Sequence, residues 1–158
     1  MIDRATPCDR DQILDITAHI DIFGPTDKEC VQELWDAYID HGLDSGYIFD
    51  VYRENGQALA YVCYGPTPLT VGTWDIYWLA VSPQQRRRGL ARALLTSAEE
   101  QIARQGGRLI AIETSGTNDY RGTRRFYMAC GYRRQAVIRD FYAPGDDLVI
   151  YGKVLQNP

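Results

Sequence analysis

Long hydrophobic runs are missing from this 158-residue sequence. No stretch approaches the roughly 20 apolar residues that a helix needs to cross a bilayer, and the N-terminus lacks the pattern of a secretory signal. Metal-binding residue types are scarce too. There are two histidines, His19 and His41, and four cysteines, Cys8, Cys30, Cys63 and Cys130, with no C-x-x-C spacing among them. A zinc site is therefore not expected, nor any metal, and the cysteines read as reduced, mostly buried thiols of a cytoplasmic protein. Basic charge is not in excess. With 17 Lys and Arg against 21 Asp and Glu, the net charge is −4 and the pI about 5.1, which argues against nucleic acid as a partner. Repeats, low-complexity tracts and linkers are absent as well. The expectation is one globular domain over residues 1–158, with neither nucleic acid nor membrane as partner.

What is present is an ordinary globular composition, 45% hydrophobic and 24% charged. Ile2 to Ala5 reads as a short strand. Asp9 with Gln12, and Thr26 with Glu29, look like capping boxes opening two helices. Their apolar stripes are Ile13, Ile16, Thr17 and Ile20, then Val31, Leu34, Trp35 and Tyr38. Tyr47 to Arg53 and Leu59 to Tyr64 are strand-like around Asn55-Gly56, a strong hairpin signal. Trp74 to Val81 is a strand rich in aromatic and β-branched residues. Leu109 to Thr114 reads as an apolar strand buried on both faces. Tyr120 to Cys130 is helical, with Thr123, Phe126, Tyr127 and Cys130 inward. Gln135 to Ile138 and Leu148 to Val154 complete the strands, joined by a turn from Asp140 to Asp147.

The chain is organised around Leu79-Ala80-Val81-Ser82-Pro83-Gln84-Gln85-Arg86-Arg87-Arg88-Gly89-Leu90-Ala91-Arg92. Pro83 ends the strand because it has no N–H to donate. Leu90 then opens a helix with Ala91, Leu94, Leu95, Ala98 and Ile102 on one face, running to Arg104. A strand, a Gly-containing loop and a helix start leave backbone N–H groups free to bind phosphate. Arginines at a helix start are often merely solvated. Here, however, they oppose the helix dipole, which favours acids in the first turn. Cations at that end make better sense if an anion joins them. The loop is not a Walker motif, since no Gly-Lys-Ser/Thr follows, and it lacks the further glycines of the Rossmann fingerprint.

Arg86-x-x-Gly89-x-Ala91 after Leu79-Ala80-Val81-Ser82-Pro83 resembles the acyl-CoA loop of the GNAT (Gcn5-related) N-acetyltransferase family. A second landmark of that family, Phe126-Tyr127-x-x-x-Gly131-Tyr132, lies downstream. The resemblance implies a mixed α/β (α+β) fold with a central sheet of six to seven strands, splayed into a V, and about four flanking helices. It implies acetyl-CoA as cosubstrate, its pyrophosphate on the amides and arginines of Arg86, Arg87, Arg88, Gly89, Leu90, Ala91 and Arg92. The pantetheine arm would run along Leu79, Ala80 and Val81. Many members carry Asn where this chain has Tyr120, so Tyr120 or Asn118 would make that cofactor contact, beside Phe126. The first two helices, with Phe23 and Trp35, would form one wall of the acceptor site.

N-acetyl transfer needs a neutral amine, a polarised thioester and an exit for the thiolate. An amine of pKa about 10.4 is neutral in only about one molecule in a thousand at pH 7.4, so a local base helps. Glu113, an acid ending an apolar strand, is the first candidate. The bland alternative is that it pairs with Arg124 or Arg125. Asp75 is the runner-up, where it would otherwise be a surface residue. By the resemblance, the Tyr127 hydroxyl would reach the departing sulfur; otherwise it is a core tyrosine. A backbone N–H of Val81 or Leu79 would hold the carbonyl oxygen. Asp140, Asp146 and Asp147, beside Phe141 and Tyr142, could attract a cationic amine or simply make a turn. The leading reading is an acetyl-CoA-dependent N-acetyltransferase acting by direct transfer on a primary amine, with a small-molecule amine favoured. The alternatives are an acetyltransferase for protein Nα or lysine amines and a non-enzymatic acyl-CoA-binding module. Homodimerisation through the C-terminal strands is an expectation by analogy.

Overall fold

The computed structural model describes residues 1–155 of the chain; residues 156–158 of the expected domain lie outside the described residues. In chain order come β1 (Ile2–Arg4), α1 (Arg10–Ala18), α2 (Pro25–His41), β2 (Ile48–Glu54), β3 (Gln57–Pro66) and β4 (Thr73–Val81). Then follow α3 (Leu90–Arg104), β5 (Leu109–Ser115), α4 (Arg121–Ala129), β6 (Arg133–Ala143) and β7 (Asp146–Val154). Seven strands form one sheet in the order β1-β2-β3-β4-β5-β7-β6. Every neighbouring pair is antiparallel except β4 and β5, which are parallel and joined by the α3 crossover.

Two cores sandwich this sheet. One buries the α3 stripe Leu90, Leu94, Leu95, Ala98 and Ile102, together with Tyr127 of α4, against Val62, Trp74, Ile76, Ile110 and Ile112. The other buries Ile13, Ile16, Val31, Trp35 and Tyr38 of α1 and α2 against Phe49, Tyr61, Cys63 and Ala80. The helical stripes expected from 3.6-residue periodicity are thus the faces that the sheet receives. Among the described residues, no helix is long and apolar enough to cross a membrane.

Several local expectations are corrected. Asp9 does not cap α1 with Gln12. Its carboxylate accepts from the Thr6 N–H and hydroxyl and from Arg53, while Gln12 Oε1 accepts from the Ala58 N–H. The second helix starts earlier than Thr26: Gly24 is its N-cap, Pro25 its first residue, and Asp27 accepts from the Gly24 N–H at 2.8 Å. Pro at the first helical position loses only an N–H that has no partner there anyway. Of the cysteines only Cys63 is buried; Cys8 is exposed and Cys30 and Cys130 are half-buried, all four being free thiols. The inward set on α4 shrinks in the same way to Tyr127, with Thr123, Phe126 and Cys130 half-buried.

Strands differ from expectation as well. β5 is buried on one face only, with Ile110 and Ile112 inward and Glu113 exposed. β6 runs on through Phe141 and Tyr142, so the turn is just Pro144-Gly145, and every residue of β6 is exposed. β4 carries a bulge: Cys63 pairs with Trp78 but Tyr64 pairs with Ile76, leaving Tyr77 unopposed. The extra residue reverses the alternation. Trp74, Ile76, Leu79 and Val81 therefore belong to the α3 side, while Tyr77, Trp78 and Ala80 belong to the α1–α2 side. Beside the bulge, a Cβ on Gly65 would stand 1.8 Å from the Gly46 carbonyl oxygen, so only glycine lets the turn before β2 close over β3.

Candidate active site

β4 and β5 pair only from Thr73 to Asp75 against Leu109 to Ala111. Past that point β4 stays with β3 and β5 stays with β7, so the two strands part into a wedge. Ser82 N–H donates to Leu59 O at 2.9 Å, which fixes the alternation at the end of β4. Ala80, opposite Tyr61, shares the orientation of Ser82 toward β3. The backbone N–H and C=O of Leu79 and Val81 therefore face the wedge, where no strand satisfies them. Ala80 offers its backbone to β3 and its side chain to the α1–α2 core, so it has nothing to present there.

The arginine loop leads into α3. Gly89 is the helix N-cap at φ +78°, and Arg87 also takes a left-handed φ of +63°. The first turn closes with Ala93 N–H donating to Gly89 O, so the N–H groups of Leu90, Ala91 and Arg92 have no intrahelical acceptor. The Leu90 side chain is core, 4% exposed, and only its amide is on offer. The four arginines are not equivalent. Arg88 Nη2 donates to both carboxylate oxygens of Glu54, at 2.7 and 2.9 Å, and its Nη1 donates to Gln85 Oε1. Arg92 reaches the Ala129 carbonyl at the end of α4, at 3.4 Å. Arg86 and Arg87 are exposed and make no side-chain bond among the described residues.

Tyr127 is 7% exposed, its ring set among Phe126, Tyr132 and Tyr151 at centroid distances of 5.4, 6.0 and 6.4 Å. Its hydroxyl has no hydrogen-bond partner among the described residues, and it is not among buried side-chain polar atoms left unpaired there, of which there are none. Burial pushes this phenol well above its ordinary value, with small additions from Cys130 and Tyr120. Tyr120 ends a 3-10 turn from Asn118 ahead of α4, and its hydroxyl lies 3.4 Å from the Ile22 carbonyl. Burial raises it to about 12, helped by Asp27 and Asp146. Asn118 itself is exposed.

Glu113 is exposed rather than buried, so the high cost of an acid in an apolar strand does not arise. It has no ion pair among the described residues; Arg124 instead donates to the Ser115 and Thr117 carbonyls at 2.7 and 2.8 Å. Its charge is felt by two tyrosines, Tyr77 of β4 and Tyr142 of β6, whose pKa values are raised first by burial and then by neighbouring carboxylates. Asp75, by contrast, accepts from the Thr67 hydroxyl at 2.6 Å. Among the distal acids, Asp140 and Asp147 close the β6–β7 turn, accepting from Gly145 N–H and Asp140 N–H. Asp146 accepts from Ser115 Oγ, and its charge and that of Asp27 add to burial in raising the Tyr120 and Tyr142 phenols. Phe23 packs edge-on against Trp78 at 5.1 Å, and Tyr47 against Tyr77 at 5.4 Å. Trp35 is buried in the α1–α2 core, and the concavity it borders is formed with Pro7, Arg10, Asp36, Ile39 and Asp40. Sequence reasoning missed Glu54, Asp27 and Tyr47. Only Asp27 carried a signal, as the acid three residues after Gly24.

No group of three or more His, Cys, Asp or Glu among the described residues is placed to hold a metal. A surface concavity of about 720 Å³ is lined by Arg134, Val137, Arg139 and Asp140 along β6.

Residues 14–132 match the model of the Acetyltransferase (GNAT) family. Among solved structures, a protein from Desulfovibrio desulfuricans described as an acetyltransferase of the GNAT family is 39% identical, with a TM-score of 0.95 and 98% of each chain covered. An aminoglycoside 6'-N-acetyltransferase complexed with coenzyme A is 17% identical, with a TM-score of 0.78 over 100% of this chain and 99% of that one. The ribosomal-protein-S18-alanine N-acetyltransferase of Escherichia coli is 18% identical, with a TM-score of 0.78 over 99% of this chain and 94% of that one. The last two likenesses show a shared fold.

Proposed function

The chain belongs to the GNAT family of acetyltransferases, and from that premise we propose that it moves an acetyl group from acetyl-CoA directly to a primary amine of a small cationic molecule. The observation that carries this reading is the wedge itself. It joins unpartnered backbone at Leu79 and Val81 to the open amides of the Arg86–Arg92 loop at one end. At the other end stand exposed Glu113 and aromatic side chains.

Pantetheine, with its amides, adds along β4 as a further strand would. Its pyrophosphate meets the loop amides, with Arg86 and Arg87 supplying charge. The neutral amine attacks the thioester carbonyl carbon, and its proton passes to Glu113, directly or through water. The oxygen of the tetrahedral intermediate takes a hydrogen bond from the Val81 or Leu79 N–H. The carbon–sulfur bond then breaks as the Tyr127 hydroxyl donates to the departing thiolate.

Full proton transfer from a phenol of pKa about 10 to a thiolate of pKa about 8.5 already runs about 2 kcal/mol uphill. Burial raises the Tyr127 phenol further. Tyr127 is accordingly a hydrogen-bond donor to sulfur, and the proton bound for the thiolate comes from solvent.

Phe23, Trp78, Tyr77 and Tyr142 offer aromatic faces, and Glu113, Asp27 and Asp146 offer negative charge, a combination that suits a cation with an apolar body. The test is a panel of small amines and of peptides with acetyl-CoA and a thiol-detecting reagent. Turnover is expected with small cationic amines; turnover confined to peptides would reassign the acceptor. CoA binding without turnover on any amine would make the protein a binding module. Two copies associate through the exposed edge strand β6, which presents Val137, Ile138 and Phe141 to solvent. A monomer by sedimentation at high concentration would exclude that. Four free thiols support a reducing, cytoplasmic setting.

A further inference from the structure

The loop from Arg86 to Arg92 gathers four arginines, and no acid lies near it in sequence: Asp75 precedes it and Glu99 follows. These cations crowd the positive end of the α3 dipole, an arrangement that disfavours itself. Two left-handed residues, Arg87 and Gly89, shape the loop, and a left-handed φ at a non-glycine residue is disfavoured. Amides in such a loop bind phosphate well only if they are held open beforehand. The counter-charge comes from elsewhere in the chain. Glu54 ends β2 at the Asn55-Gly56 turn, opposite Gln57, and its carboxylate takes both bonds from Arg88 Nη2. The same guanidinium bonds Gln85 in the loop's own 3-10 turn, so one side chain ties the loop to the hairpin.

We propose that Glu54 is a positioning residue of the cofactor loop: it holds Arg88 against the β2–β3 hairpin, keeping the loop amides open and leaving Arg86 and Arg87 to meet the phosphates. The inference rests on the acetyl-CoA reading above. Arg88 then serves the cofactor through Glu54 and not by touching it, and the pair behaves as one unit.

Calorimetry with CoA on Glu54→Gln, Arg88→Gln and the double variant tests this. Both partners are partly exposed, so the expected loss is modest, about three- to tenfold in CoA affinity, and the same in all three proteins. Pantetheine, which lacks every phosphate, should bind the variants as it binds the wild type, and their thermal midpoints should stay close to the wild-type value. A loss shared by pantetheine, or a large fall in midpoint, would make the pair merely structural and overturn the proposal. Tighter CoA binding in Glu54→Gln, with a much larger loss in Arg88→Gln, would also overturn it, since Arg88 would then be a phosphate ligand for which Glu54 competes. Unchanged affinity in Glu54→Gln refutes the inference alone. Failure of the wild-type protein to bind CoA refutes the underlying function.

Discussion

Asp75 and Ala111 form the last rung at which β4 and β5 are paired. Two residues beyond Ala111, Glu113 stands on the free side of the wedge, while Asp75 remains inside the paired segment and bonded to Thr67. Of the two acids considered for the base, Glu113 is exposed with no ion pair among the described residues, while Asp75 is half-buried, which favours Glu113 in the proposed reaction. Glu113→Gln should lower kcat roughly 10²–10⁴-fold near pH 7, and the loss should shrink as pH rises toward the amine pKa. Asp75→Asn should cost far less. Matching pH–rate profiles for the two variants would reverse the assignment.

Tyr127 should behave otherwise. Tyr127→Phe keeps the ring among Phe126, Tyr132 and Tyr151, so folding and KM for acetyl-CoA should hold. The turnover number should fall, by about 10²–10⁴, with no recovery at high pH because the defect is in the leaving group. Steady-state kinetics at several pH values checks it; undiminished turnover would leave the tyrosine a core residue.

Gly89 offers a nearly isosteric comparison. Both Asn and Asp tolerate its left-handed φ of +78°, and a Cβ there meets nothing within 4 Å. Gly89→Asn should therefore retain much of the CoA affinity. Gly89→Asp places a carboxylate beside the pyrophosphate and should abolish measurable binding by calorimetry. Equal affinities would remove the phosphate from this loop.

Acid stability depends on Asp9. Burial alone would raise its pKa, but two bonds from Arg53, at 2.5 and 3.1 Å, and those from Thr6 outweigh it and hold the carboxyl below its ordinary 3.8. A depressed folded value stabilises the fold above the ordinary carboxylate pKa, and the contribution is lost as pH falls through the folded one. Asp50 has the opposite sign: burial is the main cause of its raised pKa, so its contribution is present below 3.8 and fades as pH rises through the folded value. Asp9→Asn should thus be less stable than wild type near pH 6 and closer to it near pH 3, as urea midpoints at about those pH values would show. A constant difference would separate Asp9 from acid unfolding.

Much of the fold was legible because periodicity records burial. The stripe from Leu90 to Ile102 and the hairpin at Asn55-Gly56 stand where their patterns place them. What failed depended on distant partners. Asp9 looked like a cap until Arg53, far away in sequence, supplied a better one. β5 looked doubly buried because an apolar run cannot say that one neighbouring strand departs halfway. The bulge at Tyr77 left no mark on a segment apolar on both parities. In the candidate site, the helix start at Gly89 and the inward side of Tyr127 carry local signals. Nothing near Arg88 or Arg92 in sequence foretold that they would turn to Glu54 and Ala129.

The unpaired backbone of Leu79 and Val81 also makes the protein its own isotope gauge. Amides bonded within a ladder exchange hydrogen slowly, and these two have no backbone partner among the described residues. In the free protein they should take up deuterium early, ahead of Ala80 between them. A ligand seated in the wedge would bring all three to similar protection, marking occupancy residue by residue without any label on the ligand.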